Sequence, residues 1–553
     1  MKNKGVAAVT IVLLMSVAML AGCIGGDDDG TDEEPMRFIF ACSSDAVRLD
    51  PADVTDGESI QRMDNLYEGL VMYKEGSTEI EPCLATDWTI SADKTEITFN
   101  LREGVMFHDG TEMTADDVVY SFARQYDPDH PFHQYGEWAY WGYMFTDIEE
   151  MVKIDEYTVK LVMKTPNASM LTSLAMFTTA IISADAAEEY GDEFFKNPVG
   201  TGPFKFVEWV KDDHVTLEAF DDYWGGRAEL DEIVFKVIPD VTTRLLALQN
   251  GEVHGVEYLD PSQLSIVEDD PDLTLVSEPG MNVGYIALNC GEGYVDANGN
   301  GKWDTGEDAD VPGAFEPFED IRVRQAIQHA INKDSIIENL YQGAATAAVQ
   351  GMPPGLLGYN YNIEGFEYNP TLARQLLADA GYPNGFEITL YHMGSTSRPY
   401  FPVPEDIAQA IQTDLAAVGI TANLFTEDWG TYLQDAEAGL APMIMLGWSG
   451  DNGDPDNFLN VLYSQKTATI GTAGNYGFKK NQEVQDLLDA ALLTYDLEER
   501  DELYQEANQL IVEEATHVFI AHSNQILGFN SSVKGFVAHP TTRMFFYNIT
   551  IEE

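Results

Sequence analysis

The sequence predicts an α/β protein of more than one folded unit, and three features lead to that class. A chain of 553 residues exceeds what one hydrophobic core organises, so two or three units are expected. Residues 386–448 alternate between strand and helix patterns, the signature of a parallel or mixed sheet covered by helices. Residues 37–121 carry mostly strand and turn signals, which suits a first unit rich in β-structure. Hydrophobic residues make up 44% and aromatics 11%, so the chain lies well outside the low-apolar regime of disordered sequences.

The chain opens Met1-Lys2-Asn3-Lys4, continues with an apolar run over residues 6–20 and reaches Leu20-Ala21-Gly22-Cys23. A basic start, a short apolar stretch and small residues before a cleavage point make a secretory signal, and the run is short for a spanning helix. The Leu-Ala-Gly-Cys string resembles a lipobox, which implies that Cys23 becomes the lipidated first residue, held at the outer face of the cell membrane. Residues 25–35, GGDDDGTDEEP, have no apolar side chain to bury and read as a self-repelling tether. No later stretch offers the roughly 18 uninterrupted apolar residues of a spanning helix, so the remainder is expected to be soluble and external.

Beyond the tether, RFIFAC at residues 37–42 reads as a strand, followed by a helix-like stretch ending in LYEGLV at residues 66–71. TEITFNLR from Thr95 alternates as a strand does, with Gly104 and Asp109-Gly110 as punctuation. Farther on, Ile321, Ala326, Ile327, Ala330, Ile331, Ile336 and Ile337 recur at helical spacing, giving one amphipathic helix or two. In YNPTLARQLLADAG, Pro370 suits a first helical turn, Ala373, Leu376, Leu377 and Ala380 form the buried stripe, and Gly381 stops it. The alternation itself runs FEITLY from Phe386 (strand), Ile407 to Val418 (helix), ITANLF from Ile420 (strand), a helix around Tyr432, and MIMLGW from Met443 (strand). Ligands of such sheets lie beyond the carboxyl ends of the strands, which gives weight to two loops: one holding Arg398, the other Asp451.

A net charge of -63, from 30 Lys plus Arg against 93 Asp plus Glu, excludes nucleic acid as a reasonable partner. It suits a hydrated surface whose self-repulsion is screened by salt. Besides Cys23 there are Cys42, Cys83 and Cys290, so at most one intrachain disulfide can form, and the sequence does not choose the pair.

Nine strings occur in a fixed order: LDPADVTDGES at Leu49, LYEGLV at Leu66, LATDWTISAD at Leu84, FNLREGVMFHDGTEMTADDVVYSFAR at Phe99, NPVGTGPFKF at Asn197, YWGG at Tyr223, IRVRQAIQHAINKDSII at Ile321, ARQLLADAGYPNG at Ala373 and GWSGDNGDPDNFL at Gly447. Through them the chain resembles the peptide-type (family 5) extracytoplasmic solute-binding proteins of ABC importers over nearly its whole length after the tether. The resemblance implies a two-lobed, class II periplasmic-binding-protein-like α/β fold with hinge strands and a β-rich extension in lobe one. Lobe one would hold residues 36–286 and 522–553, lobe two residues 287–521, with crossings near VGYIALN and VFIAHSN. It also implies capture of a dipeptide or short peptide and delivery to permease and ATPase subunits, by a monomer that is not an enzyme. Glutathione, haem or a nickel chelate would be cargo of the same fold; an extracellular peptide hydrolase is the reading of another class.

Within the family GWSGDNGDPDNF is most similar to the dipeptide-receptor version. There the residue matching Asp451 pairs with the peptide's amino group, and Arg398 in SRPYFP matches an arginine kept for its carboxylate. Trp448 and Gly450 match residues flanking the amine site, and Thr55 and Gly57 match positions that touch ligand from lobe one. The chemistry is apt, because a receptor for many peptides must read an ammonium and a carboxylate, and charge-assisted hydrogen bonds give strength and geometry to both. Taken alone, Asp451 is one acid among many in an acidic chain and Arg398 a loop arginine; strand-end position and motif single them out. Trp448 fits core packing as well as an aromatic wall beside an ammonium.

The insertion over residues 291–314 carries a separate pattern. Asp296, Asn298, Asn300, Gly301 and Glu307 satisfy D-x-[DN]-x-[DN]-G-x5-E, with Lys302 at the seventh position and Asp304 at the ninth, an oxygen-ligand spacing for a structural calcium ion. No helix clearly enters that loop, and a hydrated Asn-Gly turn is the plainer alternative. Signs of a catalytic cofactor or nucleophile are sparse: there is no H-E-x-x-H, no G-x-S-x-G and no P-loop, and His108 in VMFHDG reads as structural.

Overall fold

Apolar runs bounded by turn residues become the strands of one mixed sheet that threads the molecule. The structure, a computed structural model, describes residues 35–291 and 316–552. In spatial order the sheet holds Thr421–Phe425, Glu387–Tyr391, Met443–Ser449, Asn282–Leu288, His517–Asn530, Gly255–Glu257, Arg37–Cys42, Glu232–Val237, His214–Ala219 and Phe204–Val210. The first three are mutually parallel, whereas Asn282–Leu288 runs antiparallel to both its neighbours. All seven residues of Asn282–Leu288 are buried, as an unbroken apolar run requires when both faces of a strand are covered.

Two large apolar cores flank this sheet. One gathers Phe38, Phe99, Phe122, Phe235 and Phe546, and the other Tyr285, Ile327, Leu390, Ile411 and Leu446. A small third core holds Leu245, Leu248, Val256 and Val267. The long strand His517–Asn530 passes from one lobe to the other, since Val518 to Ala521 pack in the second core and Leu527 and Phe529 in the first. Its partner crossing falls before Met281, because Met281, Val283, Tyr285 and Ile286 already belong to the second core; the expected boundary at residue 286 moves by about one strand. A four-stranded antiparallel sheet, Ala85–Ile90, Glu96–Leu101, Thr158–Met163 and Ile148–Asp155, forms the β-rich part of lobe one. Thr158–Met163 shows why: Val159, Leu161 and Met163 alternate inward while their neighbours stay wetter.

Several of the acidic residues serve the helices. Asp56, Asp240, Asp320, Asp428 and Asp496 each cap a helix by accepting a backbone N–H, and Thr114 with Asp117 closes a capping box. The helix expected to run into LYEGLV instead ends at Met63. Asp64 takes the Met544 N–H and the Arg543 guanidinium, and Asn65 is hydrogen-bonded to Met544 and Phe546, so contacts with the C-terminal segment replace the next helical turn. Gly202 of NPVGTGPF packs on the same spot, where a Cβ would lie 2.6 Å from the Leu66 carbonyl carbon. The 320–340 region is two helices, Ile321–Ala330 and Lys333–Ile336, the second continued by a π-turn; Asn332 breaks them and caps the second.

Cys42 and Cys83 are buried free thiols, and Cys290 is buried as well. Among the described residues no helix is long and apolar enough to cross a membrane, and no group of three or more His, Cys, Asp or Glu side chains stands where it could hold a metal. Cys23 and the calcium-type loop from Asp296 to Glu307 lie outside the described residues.

Candidate functional site

The parallel strands Glu387–Tyr391 and Met443–Ser449 end on the same side of the sheet, and each is followed by one of the two loops singled out by sequence. Two glycines let the second strand's end approach its surroundings. A Cβ at Gly447 would sit 2.4 Å from the Tyr400 ring, and one at Gly450 would sit 2.7 Å from the Phe458 ring. Gly450 N–H donates to Met281 O at 2.7 Å, which ties the loop to the crossing strand.

Asp451 follows directly. Its N–H donates to Asn457 Oδ1 at 2.9 Å, and its half-buried carboxylate accepts from Asn457 Nδ2 at 3.2 Å and from Tyr140 Oη at 3.1 Å. Tyr140 belongs to lobe one, so the carboxylate is enclosed between the lobes rather than set in open solvent. Burial pushes its pKa up to about 6, against the lowering pull of Asn457 and Tyr140. Trp448 donates its indole N–H to the same Asn457 Oδ1 at 3.0 Å, so Trp448, Asp451 and Asn457 form one hydrogen-bonded unit. The loop is fixed further along by Asp454, whose buried carboxylate takes a two-pronged bond from Arg500 at 2.7 and 2.8 Å. Asn452, also buried, reaches Ser173 Oγ of lobe one at 3.2 Å.

Arg398 sits in a tight turn closed by two backbone hydrogen bonds with Phe401. Its guanidinium stacks over the Trp429 indole, 4.2 Å from the ring centre. Among the described residues no carboxylate lies within ion-pair distance of it, and its buried Nε has no hydrogen-bond partner. It lines a cavity of about 600 Å³ whose walls come from both lobes, with Glu58, Glu257 and Tyr258 on one side and Tyr341, Ser397 and Pro402 on the other. The crossing strands close it with Asn282, Ser523 and Gln525. An enclosed acid and an unpartnered guanidinium at the ends of neighbouring strands can hold the two ends of a zwitterion.

Thr55 and Gly57 are exposed at the start of helix Gly57–Met63, and neither lines this cavity; their neighbours Glu58 and Gln61 do. Sequence reasoning missed Tyr140, Glu58, Glu257 and Gln525. Nothing local marks them, because each earns its place through the opposite lobe or the crossing strand. His108 is held as expected of a structural residue, its ring between Gly202 O and Gly200 N–H, with burial lowering it to about 4.

Residues 79–469 match the family model described as "Bacterial extracellular solute-binding proteins, family 5 Middle". The chain belongs to this family. Among its relatives, the dipeptide-binding protein of Escherichia coli (strain K12) is 35% identical over 99% of this chain and 97% of its own length. Heme-binding protein A of Haemophilus influenzae is 36% identical over 93% of this chain and 92% of its own. Among solved structures, an ABC transporter-associated periplasmic binding protein from Helicobacter pylori in complex with the peptide STSA superposes with a TM-score of 0.78 at 36% identity, covering 94% of this chain and 98% of that one. Family 5 membership agrees with the two-lobed fold and with a site placed between the lobes for a solute.

Proposed function

We propose that this family 5 protein captures a dipeptide or short peptide between its lobes, the ammonium at Asp451 and the carboxylate at Arg398, and delivers it to the permease and ATPase subunits of an ABC importer. One observation carries the reading: both charged groups sit in strand-end loops of one sheet, the acid enclosed and the guanidinium without an ionic partner. The names of the E. coli and H. pylori relatives support it. Trp448 and Gly450 act by shaping the amine end. The chain works as a monomer, tethered at the outer face of the membrane through lipidated Cys23, with a structural calcium ion in the loop from Asp296 to Glu307 and no catalytic cofactor; these rest on the sequence patterns alone.

Calorimetric titration with Ala-Ala, tetra-alanine, glutathione, haem and a nickel–histidine chelate tests the cargo. Binding of Ala-Ala or tetra-alanine, with the peptide recovered unchanged, is the expected result. Binding of haem alone, the cargo named for the H. influenzae relative, would replace peptide with haem. Hydrolysed peptide would make the protein an enzyme.

A further inference from the structure

The chamber beside Arg398 is larger than a carboxylate needs, and its wall contains buried polar atoms that nothing in the protein satisfies. Glu257 is 1% exposed; its Oε1 accepts the Ser43 N–H at 2.6 Å and the Ser43 hydroxyl at 2.7 Å, while Oε2 has no partner. Gln525, 8% exposed, has neither amide atom paired, and Gln61 Oε1 is likewise alone. Leaving a buried carboxylate oxygen unmatched costs more than any neutral acceptor, so such a group marks the place of a donor.

The surrounding charges identify that donor. Arg244, which also lines the chamber, directs its guanidinium to the backbone carbonyls of Ile238, Pro239, Glu257 and Tyr258. Arg62, behind the wall, does the same with Glu58 and Ser44. Asp260 is occupied as a helix cap by Ser262. Glu257 and Glu58 both line the cavity, neither within ion-pair distance of a cation among the described residues, and the Glu58 carboxylate makes no hydrogen bond to another residue. Burial raises the Glu58 pKa and the Glu257 charge adds to it, with the Arg62 charge pulling the other way. Tyr258, Glu257, Glu58 and Arg398 all line this one cavity. Because Arg398 lines this chamber and Asp451 does not, it lies at the carboxylate end of a bound peptide.

We infer that the chamber receives the side chain of the peptide's C-terminal residue and selects a cationic one, lysine or arginine, through Glu257 assisted by Glu58. This rests on the peptide reading above and adds a substrate class to it. A lysine ammonium or an arginine fork supplies the donor that Glu257 Oε2 lacks, while its alkyl stem fills the volume beside Ile526 and Leu527.

Titration of the full chain with Ala-Ala, Ala-Lys, Ala-Leu, Lys-Ala and tri-alanine tests this. Ala-Lys is expected to bind at least about tenfold more tightly than Ala-Leu, the worth of one charge-assisted hydrogen bond, with Lys-Ala no better than Ala-Ala. In Glu257→Gln the Ala-Lys to Ala-Leu ratio should fall toward one. Should that variant melt early, Glu58→Gln, which breaks no hydrogen bond to another residue, is expected to lower the same ratio severalfold. Ala-Ala binding with Ala-Leu equal to or above Ala-Lys, tri-alanine as the tightest ligand, or a ratio unmoved in both variants would overturn the inference alone. No binding of any of these peptides would overturn the peptide reading and the inference with it.

Discussion

Replacing Asp451 by Asn keeps the shape and both hydrogen bonds of the site but removes its charge. The new amide oxygen can accept from Asn457 Nδ2 while the amide nitrogen donates to the Tyr140 hydroxyl, which can turn to accept, so the loop should stay folded. What is lost is the attraction between an enclosed carboxylate and an ammonium. Removing one member of such a pair costs about 2–4 kcal/mol, or roughly 30- to 700-fold in Kd. The same group sets a pH dependence. Its pKa of about 6 in the folded protein exceeds the ordinary 3.8, so ionised Asp451 destabilises the ligand-free protein. That penalty is absent below about pH 4, grows through the interval and is complete above about pH 6. An ammonium favours the ionised form, so below pH 6 binding must first remove a proton, and affinity should fall about fivefold as pH drops from 6 to 5. Peptide carboxylates titrate below this window and peptide amines above it. Asp456, which burial raises to about 7 with help from the Asp454 charge, titrates nearby, so comparison with D451N isolates the group. Calorimetry with Ala-Ala between pH 5 and 7, in buffers of different ionisation enthalpy, reads both affinity and proton release. A D451N protein that binds within threefold of the wild type, or that retains the wild-type pH slope, would refute the assignment.

Arg398→Lys keeps the charge but loses the planar fork and the stacking over Trp429, so Ala-Ala affinity should drop roughly 10- to 100-fold by calorimetry while the thermal midpoint stays put. Arg500→Met leaves Asp454 buried without its partner; the cost is about 3–5 kcal/mol, seen as a lower melting temperature and as weakened binding through the loosened Asp451 loop. If the 296–307 loop holds calcium, EDTA should lower the melting temperature, calcium should restore it, and Glu307→Gln should abolish the difference.

Much of the fold was legible because its signals are local. FEITLY and MIMLGW are apolar runs of strand length, and Asn369-Pro370 and Gly381 bracket a helix by backbone chemistry alone. Half of the candidate site followed, since a strand end dictates where its loop begins, and Asp451 stands two residues past Ser449. The other half depends on which surfaces face each other. Tyr140 lies 311 residues from Asp451, and Glu257 reaches Ser43 across 214 residues. No periodicity encodes such pairings. The early end of helix Gly57–Met63 has the same origin, because the C-terminal segment supplies the hydrogen bonds that override local helical pattern.

The two ends of the site are built differently, and that difference bears on how the lobes read their ligand. The Arg398 turn is fastened to its own lobe and to the crossing strand: Tyr341 Oη donates to Tyr400 O at 2.7 Å, and the Ser523 hydroxyl donates to Pro399 O. Those bonds do not require lobe one, so the carboxylate end can stand ready whether the lobes are apart or together. Asp451 is different, because Tyr140 reaches its carboxylate, and Ser173 its neighbour Asn452, only when lobe one is in place. In this arrangement burial holds the Asp451 pKa up at about 6, so an ionised, unpaired Asp451 at neutral pH would oppose enclosing an empty site. A ligand ammonium reverses that sign by pairing with the carboxylate as it is enclosed. If a peptide binds as proposed, its ammonium would therefore add to the stability of the closed state at Asp451, while Arg398 would stand ready to orient the carboxylate.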